Sequence, residues 1–347
     1  MAHKIVQGID RVAATQARTI WHADETLGVS LRDFTLTDPE STLLEMAGYV
    51  WPVDADNDVA RTVGLQTADG ITIPSHVATV SRTGRVLGVV GSDYNPVPFK
   101  VILTDWLYAL ALAGAAPETL GTCDEGRNMF ASVLVADAFR VPGDEHETRP
   151  YFNLVSNHTG QGGIKGAFAT FRPVCFNTAS MFGEIHDKGA HKVRDAWVLV
   201  KHTRSATRSI KEAVAWIVDG RKRAQEEQEL LARMAGVTVS QANVGNFVER
   251  YISLGDTPKA EARRSGERDK FFAAMGAADL GAHALTRQGI TAYGLFQAVT
   301  NFEDWQSTVR RTDDTPVATR RAFRAFMGER EPEKQTARQH ILELAGI

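Results

Sequence analysis

Cysteine is scarce: 347 residues hold only Cys123 and Cys175. Two isolated cysteines supply neither a disulfide framework nor the paired spacing of a zinc ribbon. The N-terminus lacks an apolar stretch behind its lysine, so no secretory signal is expected and both thiols should be reduced. No apolar run approaches the roughly 20 residues of a membrane-crossing helix, so no membrane partner is expected. A large excess of one charge is missing as well. The net charge is −3, which excludes a chain that binds anions simply by being a polycation.

Signatures of chemistry are equally sparse. The phosphate-loop pattern GxxxxGK[ST], the zinc patterns HExxH and HxxxH, and the nucleophile elbow GxSxG do not occur. His186 and His191 are spaced for neither a helix face nor a strand face. Cys175, at the end of an apolar run, reads as a small buried side chain rather than a nucleophile. These absences lean against an enzyme and point to no catalytic residue, no metal and no cofactor.

What is present centres on residues 151–223. Tyr151, Phe152, Leu154 and Val155 form one bulky run, and Phe168, Phe171 and Val174 another. Short runs of aromatic and β-branched residues favour strands. Between them His158-Thr159-Gly160-Gln161-Gly162-Gly163 reads as a turn, or less readily as a backbone cradle for an anion, because a strand rather than a helix follows. Behind these strands a long amphipathic helix is expected over 205–235, with Ala206, Ile210, Ala213, Ile217, Ala224, Leu231 and Met234 on one face. Residues 201–223 carry seven bases against two acids, a local surplus of five. That surplus suits an anionic partner or an ordinary solvated helix face.

Elsewhere, Asp38-Pro39 should start a helix, 50–53 should form a strand, and 76–80 with 85–90 a hairpin. A buried helix is expected over 99–115 and a second hairpin over 117–136, followed by a charged loop over 139–150. Ser240 should cap a helix carrying Val244, Phe247, Val248 and Tyr251; 256–268 is a charged hinge or exposed helix. Further helices are expected over 271–285, 291–305, 317–327 and 332–344. The fold class is therefore α+β: a mainly antiparallel sheet with a long packing helix, then an all-helical C-terminal region. Residues 1–235 would be the α+β core with an N-terminal extension, and 236–347 the helical region.

Several pieces resemble the phage/plasmid-like family of unknown function found in mobile-element genomes. They are Trp21-His22, RTGRVLGVVGSDYNPV, LVSNHTGQGGIKG, FRPVCFNT, VKHTRSATRSIKEA, TAYGLFQAVTNFEDW and the closing RRAFRAFMGEREPEKQTARQHILELA. VCFNT and KHT are the more specific marks, and Thr159 stands where that family more usually has an acid. The order of elements also resembles, at fold level only, the single-strand annealing proteins of phage recombination. The resemblance implies a cytoplasmic protein of the host cell that binds single-stranded DNA and self-associates in recombination or replication. Arg127, Lys165, Arg172, Lys201, Arg204 and Arg208 would hold the sugar–phosphate backbone, with Tyr151, Phe168 and Phe171 as stacking candidates. The alternative is a non-enzymatic protein that binds a host protein and inhibits restriction or another defence.

Overall fold

Residues 9–14, 30–33, 38–52, 56–112, 114–123, 125–160, 162–172, 177–178, 192–194, 197–203, 206, 220–253, 257–308 and 330–347 are described by the computed structural model. The chain opens with β1 (Ile9–Ala14), β2 (Ser30–Asp33), α1 (Pro39–Val50), β3 (Val59–Gln66), β4 (Thr72–Ser81), β5 (Val86–Gly91) and α2 (Phe99–Leu112). The sheet-forming stretch then supplies β6 (Ala116–Cys123), β7 (Asn128–Leu134), β8 (Phe139–Arg140), β9 (Glu147–Asn157), β10 (Ile164–Arg172), β11 (Asn177–Thr178), β12 (Lys192–Arg194) and β13 (Trp197–Val200). The C-terminal part follows as α3 (Gly220–Gly236), β14 (Thr238–Ser240), α4 (Gln241–Tyr251), α5 (Pro258–Met275), β15 (Gly289–Thr291), α6 (Ala292–Asn301) and α7 (Glu331–Ala345).

The main sheet runs β12-β13-β10-β9-β7-β6-β1-β2, with β11 on β10 and β8 on β9. Its pairings are antiparallel except β1 with β2. Short connections between consecutive strands enforce this, because a tight turn can only return the chain antiparallel. One face carries Met129, Ala131, Val133, Phe152, Leu154 and Ile164, which meet Met46, Trp51, Phe99, Ile102 and Trp106 from α1, α2 and their flanks. Burying one such side chain contributes about 1.5–3 kcal/mol, so this layer fixes how α2 lies on the sheet. The fold class is α+β, as the hairpin spacing implies.

A second core belongs to the helices. Phe247, Phe271, Tyr293, Phe296 and Phe302 are its buried aromatics, joined by Val141 and by Leu231 and Met234 of α3. Tyr251 packs at its edge, while Trp305 is half-buried and outside that cluster. Capping agrees with the sequence: Asp38 accepts from the Ser41 N–H, and Ser240 from the Asn243 N–H. Among the described residues no helix is long and apolar enough to cross a membrane.

Four local expectations are corrected. Residues 50–52 are not a strand, because the amphipathic stripe carries α1 through Val50 and Trp51 closes it. The hairpin over 76–90 belongs not to the main sheet but to a separate three-stranded sheet, β3-β4-β5, whose first strand went unrecognised. The charged segment 139–150 is not all loop: β8 lies there and β9 starts at Glu147. The last third is not purely helical, since Val239 and Ile290 pair in the short β14–β15 ladder. The expected helix over 317–327 lies outside the described residues, as does most of 205–219 ahead of α3.

Candidate functional site at one end of the main sheet

Strand register decides which residues meet. Asn128 pairs with Asn157, and Ile164 with Val200, so the start of β7, the end of β9, the start of β10 and the end of β13 share one end of the sheet. That end receives Arg127, His158, Lys165, Lys201 and His202. The β9–β10 connection is a tight turn into another strand, and Gly160 takes φ +80° there, a conformation a side chain would resist. The three-stranded sheet is stitched onto this turn. The Thr79 hydroxyl donates to the His158 carbonyl at 2.8 Å, and a Cβ on Gly88 would lie 2.6 Å from Thr159 Cα. Only glycine allows β5 to approach so closely.

Asp58 is the hub. Its carboxylate accepts from the N–H groups of Val59, Phe99 and Lys100 at 2.8, 2.9 and 3.1 Å. It thus caps the N-terminus of α2 from 41 residues away, where the helix dipole favours negative charge. The same carboxylate accepts from His158 Nε2 at 3.2 Å, which assigns the proton to that nitrogen and leaves Nδ1 as an acceptor. Phe99 stacks on the His158 ring at 3.9 Å between centroids. His202 stacks on Tyr94 at 4.8 Å and sets Nε2 3.5 Å from the Ser156 hydroxyl. The Tyr94 hydroxyl donates to the Asn157 carbonyl at 3.3 Å.

Burial governs the electrostatics. It pushes the His158 imidazole below its usual range despite the opposing pull of Asp58. Burial, then the neighbouring His158, pushes His202 down to about 3. Burial also raises the Tyr94 phenol. Both imidazoles are therefore neutral at pH 7. Among the described residues the Nδ1 atoms of His158 and His202 have no hydrogen-bond partner. An aspartate–histidine pair with an unpartnered nitrogen resembles a general-base arrangement, but His158 is fully buried. The geometry makes it a clamp joining the β9 turn, α2 and the small sheet.

The bases predicted from sequence divide. Arg127, Lys165 and Lys201 lie at this end and are each half-buried. Lys165 pairs across from Leu199, so Lys165 and Lys201, two residues on, are diagonal neighbours, roughly 7–8 Å apart. Arg127 and Lys201 are separated by three strand steps, about 14 Å. Arg172 does not join them. It pairs with Asn177 at the far end of β10, seven residues or about 23 Å from Lys165. Arg204 and Arg208 lie outside the described residues. Lys100 and Arg82 at this end share Asp56, and Arg85 holds Glu125.

Of the stacking candidates, Tyr151 is a core residue whose hydroxyl donates to Glu118 at 2.8 Å. Phe168 lines a cavity of about 290 Å³ against α3 and α7, with Arg223 5.8 Å above its ring. The Phe171 side chain is outside the described residues. Among the described residues no group of three His, Cys, Asp or Glu side chains is placed to hold a metal ion. Asp58, Tyr94 and the His158–His202 pair were missed as a cluster. The usable signal was that the LVSNHT and VKHT pieces each carry a histidine close behind an apolar run that reads as a strand.

Fold and site together define an α+β protein with a buried imidazole–carboxylate clamp beneath a basic sheet end. Residues 86–324, more than two thirds of the chain, match the family described as Domain of unknown function (DUF932), and the chain belongs to that family. No curated protein and no solved structure matches it.

Proposed function

We propose that the chain binds single-stranded DNA across the clamped end of the main sheet and acts as a strand-annealing factor in recombination or replication. The phage- or plasmid-like character of its motifs belongs to the same proposal. The observation that supports it is register: Lys165 and Lys201, far apart in sequence, are diagonal neighbours on one face of the sheet, with Arg127 at the same sheet end on the face of His158. Two cations at that spacing suit successive phosphates of one strand and leave the bases turned away to pair. The clamp on the other face would hold this sheet end rigid, which limits the ordering cost of binding.

The test is fluorescence anisotropy of the full chain with a labelled single-stranded oligonucleotide and its duplex, together with an annealing assay. The proposal expects salt-sensitive binding that favours the single strand, and faster pairing of complementary strands. Undetectable binding at low salt would sink it. The rival reading, an interaction protein that inhibits host restriction or another defence, draws on the net charge of −3 and predicts that null result.

A further inference from the structure

The three-stranded sheet is unevenly covered. Its order is β3-β4-β5, so β3 is an edge, and no described strand pairs with its outer side. From Ala60 to Gly64 every residue is exposed, and the hairpin continues exposed through most of residues 66–76. Of seven large apolar side chains that stand exposed among the described residues, four lie on this sheet or its turn: Val63 (42%), Ile71 (65%), Val86 (52%) and Val89 (53%). A clustered apolar surface marks an interaction site more than scattered single residues do.

The edge has little of the side-chain chemistry that usually keeps edges apart, and the register irregularities at Val59/Arg61 and Gly64/Leu65 leave residues 61–64 regular between them. The sequence of β3, VARTVGLQ, contains no proline or lysine and a single charge, Arg61. Register then selects the partner. Val63 pairs with Ala78, and Ala78 with Val89, so these three form one apolar row across the sheet. We propose that a second copy of the chain pairs antiparallel with β3 about a two-fold axis at Val63, making one continuous six-stranded sheet. The row becomes Val89-Ala78-Val63 meeting its own mirror sequence. Arg61 then falls opposite Leu65 of the copy and Thr62 opposite Gly64, so no like charges face each other. A two-fold contact of this kind closes on itself and stops at a dimer. The proposal stands independently of DNA binding.

The test is the sedimentation mass of the full chain. The expected value is two chains of 38.0 kDa, 76.0 kDa in all. Val63→Lys, which sets two ammonium groups opposite each other, should weaken the dimer at least tenfold while leaving circular dichroism unchanged. Leu44→Lys, at a still more exposed position on α1, should leave the dimer intact. Val63→Cys, in a background with Cys123 and Cys175 replaced by serine, should cross-link chain to chain under oxidation. A monomeric wild type overturns the proposal, as does a dimer that survives Val63→Lys and fails to cross-link. A monomer that takes up a different protein at this edge overturns it too.

Discussion

The two ends of the main sheet treat buried ionisable groups in opposite ways. At the turn end, His158 and His202 are held neutral by burial, and Asp58 is supported by backbone N–H donors. At the far end, Glu118 is buried beside Tyr151 and Arg149, and burial pushes its carboxyl up to about 7 against the pull of both partners. One end therefore resists gaining a proton and the other resists losing one. The same cause acts at both ends, because burial disfavours the charged form and so lowers an imidazole and raises a carboxyl. Asp58 sits at a helix N-terminus with three backbone donors, whereas Glu118 has one phenol at 2.8 Å and an arginine at 3.6 Å. Helix ends are the cheaper place to bury a carboxylate.

The largest expected effect separates the two carboxyl groups. Asp58→Ala strips three backbone donors and His158 of their acceptor and should destabilise the chain by about 3 kcal/mol or more. Glu118→Gln keeps an acceptor for Tyr151 and should cost less than about 1 kcal/mol near pH 7. Urea unfolding of both variants measures the contrast, and equal losses would erase it.

The pH dependence should be two-sided. His202 has a folded pKa of about 3 against 6.5, so the unfolded chain takes up its proton first. Stability should then fall as pH drops below about 6.5 and keep falling toward 3, by an amount on the order of a few kcal/mol. Glu118 runs the other way, with a folded value of about 7 against 4.5. Its contribution is full below 4.5 and is lost as pH rises through 7. Single substitutions sharpen this with smaller effects. His202→Phe can keep the stack on Tyr94 and should flatten only the acid limb, while Glu118→Gln should flatten only the limb between 4.5 and 7. Thermal unfolding across pH reads both, and identical profiles in the two variants would contradict the account.

Much of the fold was legible because its signals are local. Asp38 and Ser240 announce their helices by cap chemistry within three residues. Hairpins over 117–136 and 151–172 follow from apolar runs around turn residues, and Val244, Phe247 and Val248 declared one face of the helical core by spacing. The clamp was not legible, because Asp58 and His158 are 100 residues apart and meet only once strand register is set. Val59–Gln66 escaped notice because its exposed arm has no in-out alternation to read. Among the proposed contacts, the separation of Arg172 from Lys165 was legible without the structure, because seven residues of one strand span about 23 Å in any register.

The smallest effect on stability tests the central claim. Replacing the half-buried Arg127, Lys165 and Lys201 with alanine should change unfolding free energy by about 1 kcal/mol or less per site. The measurement is single-strand affinity against salt for the wild type, this triple variant, and a control with Arg221 and Lys222 of α3 replaced. The account predicts that the triple variant's log–log salt slope is shallower by about 0.7 per lost contact, roughly 2 in all, with weaker binding at low salt. The control should match the wild type. A triple variant that keeps wild-type affinity and slope would contradict the assignment of the sheet end as the binding surface.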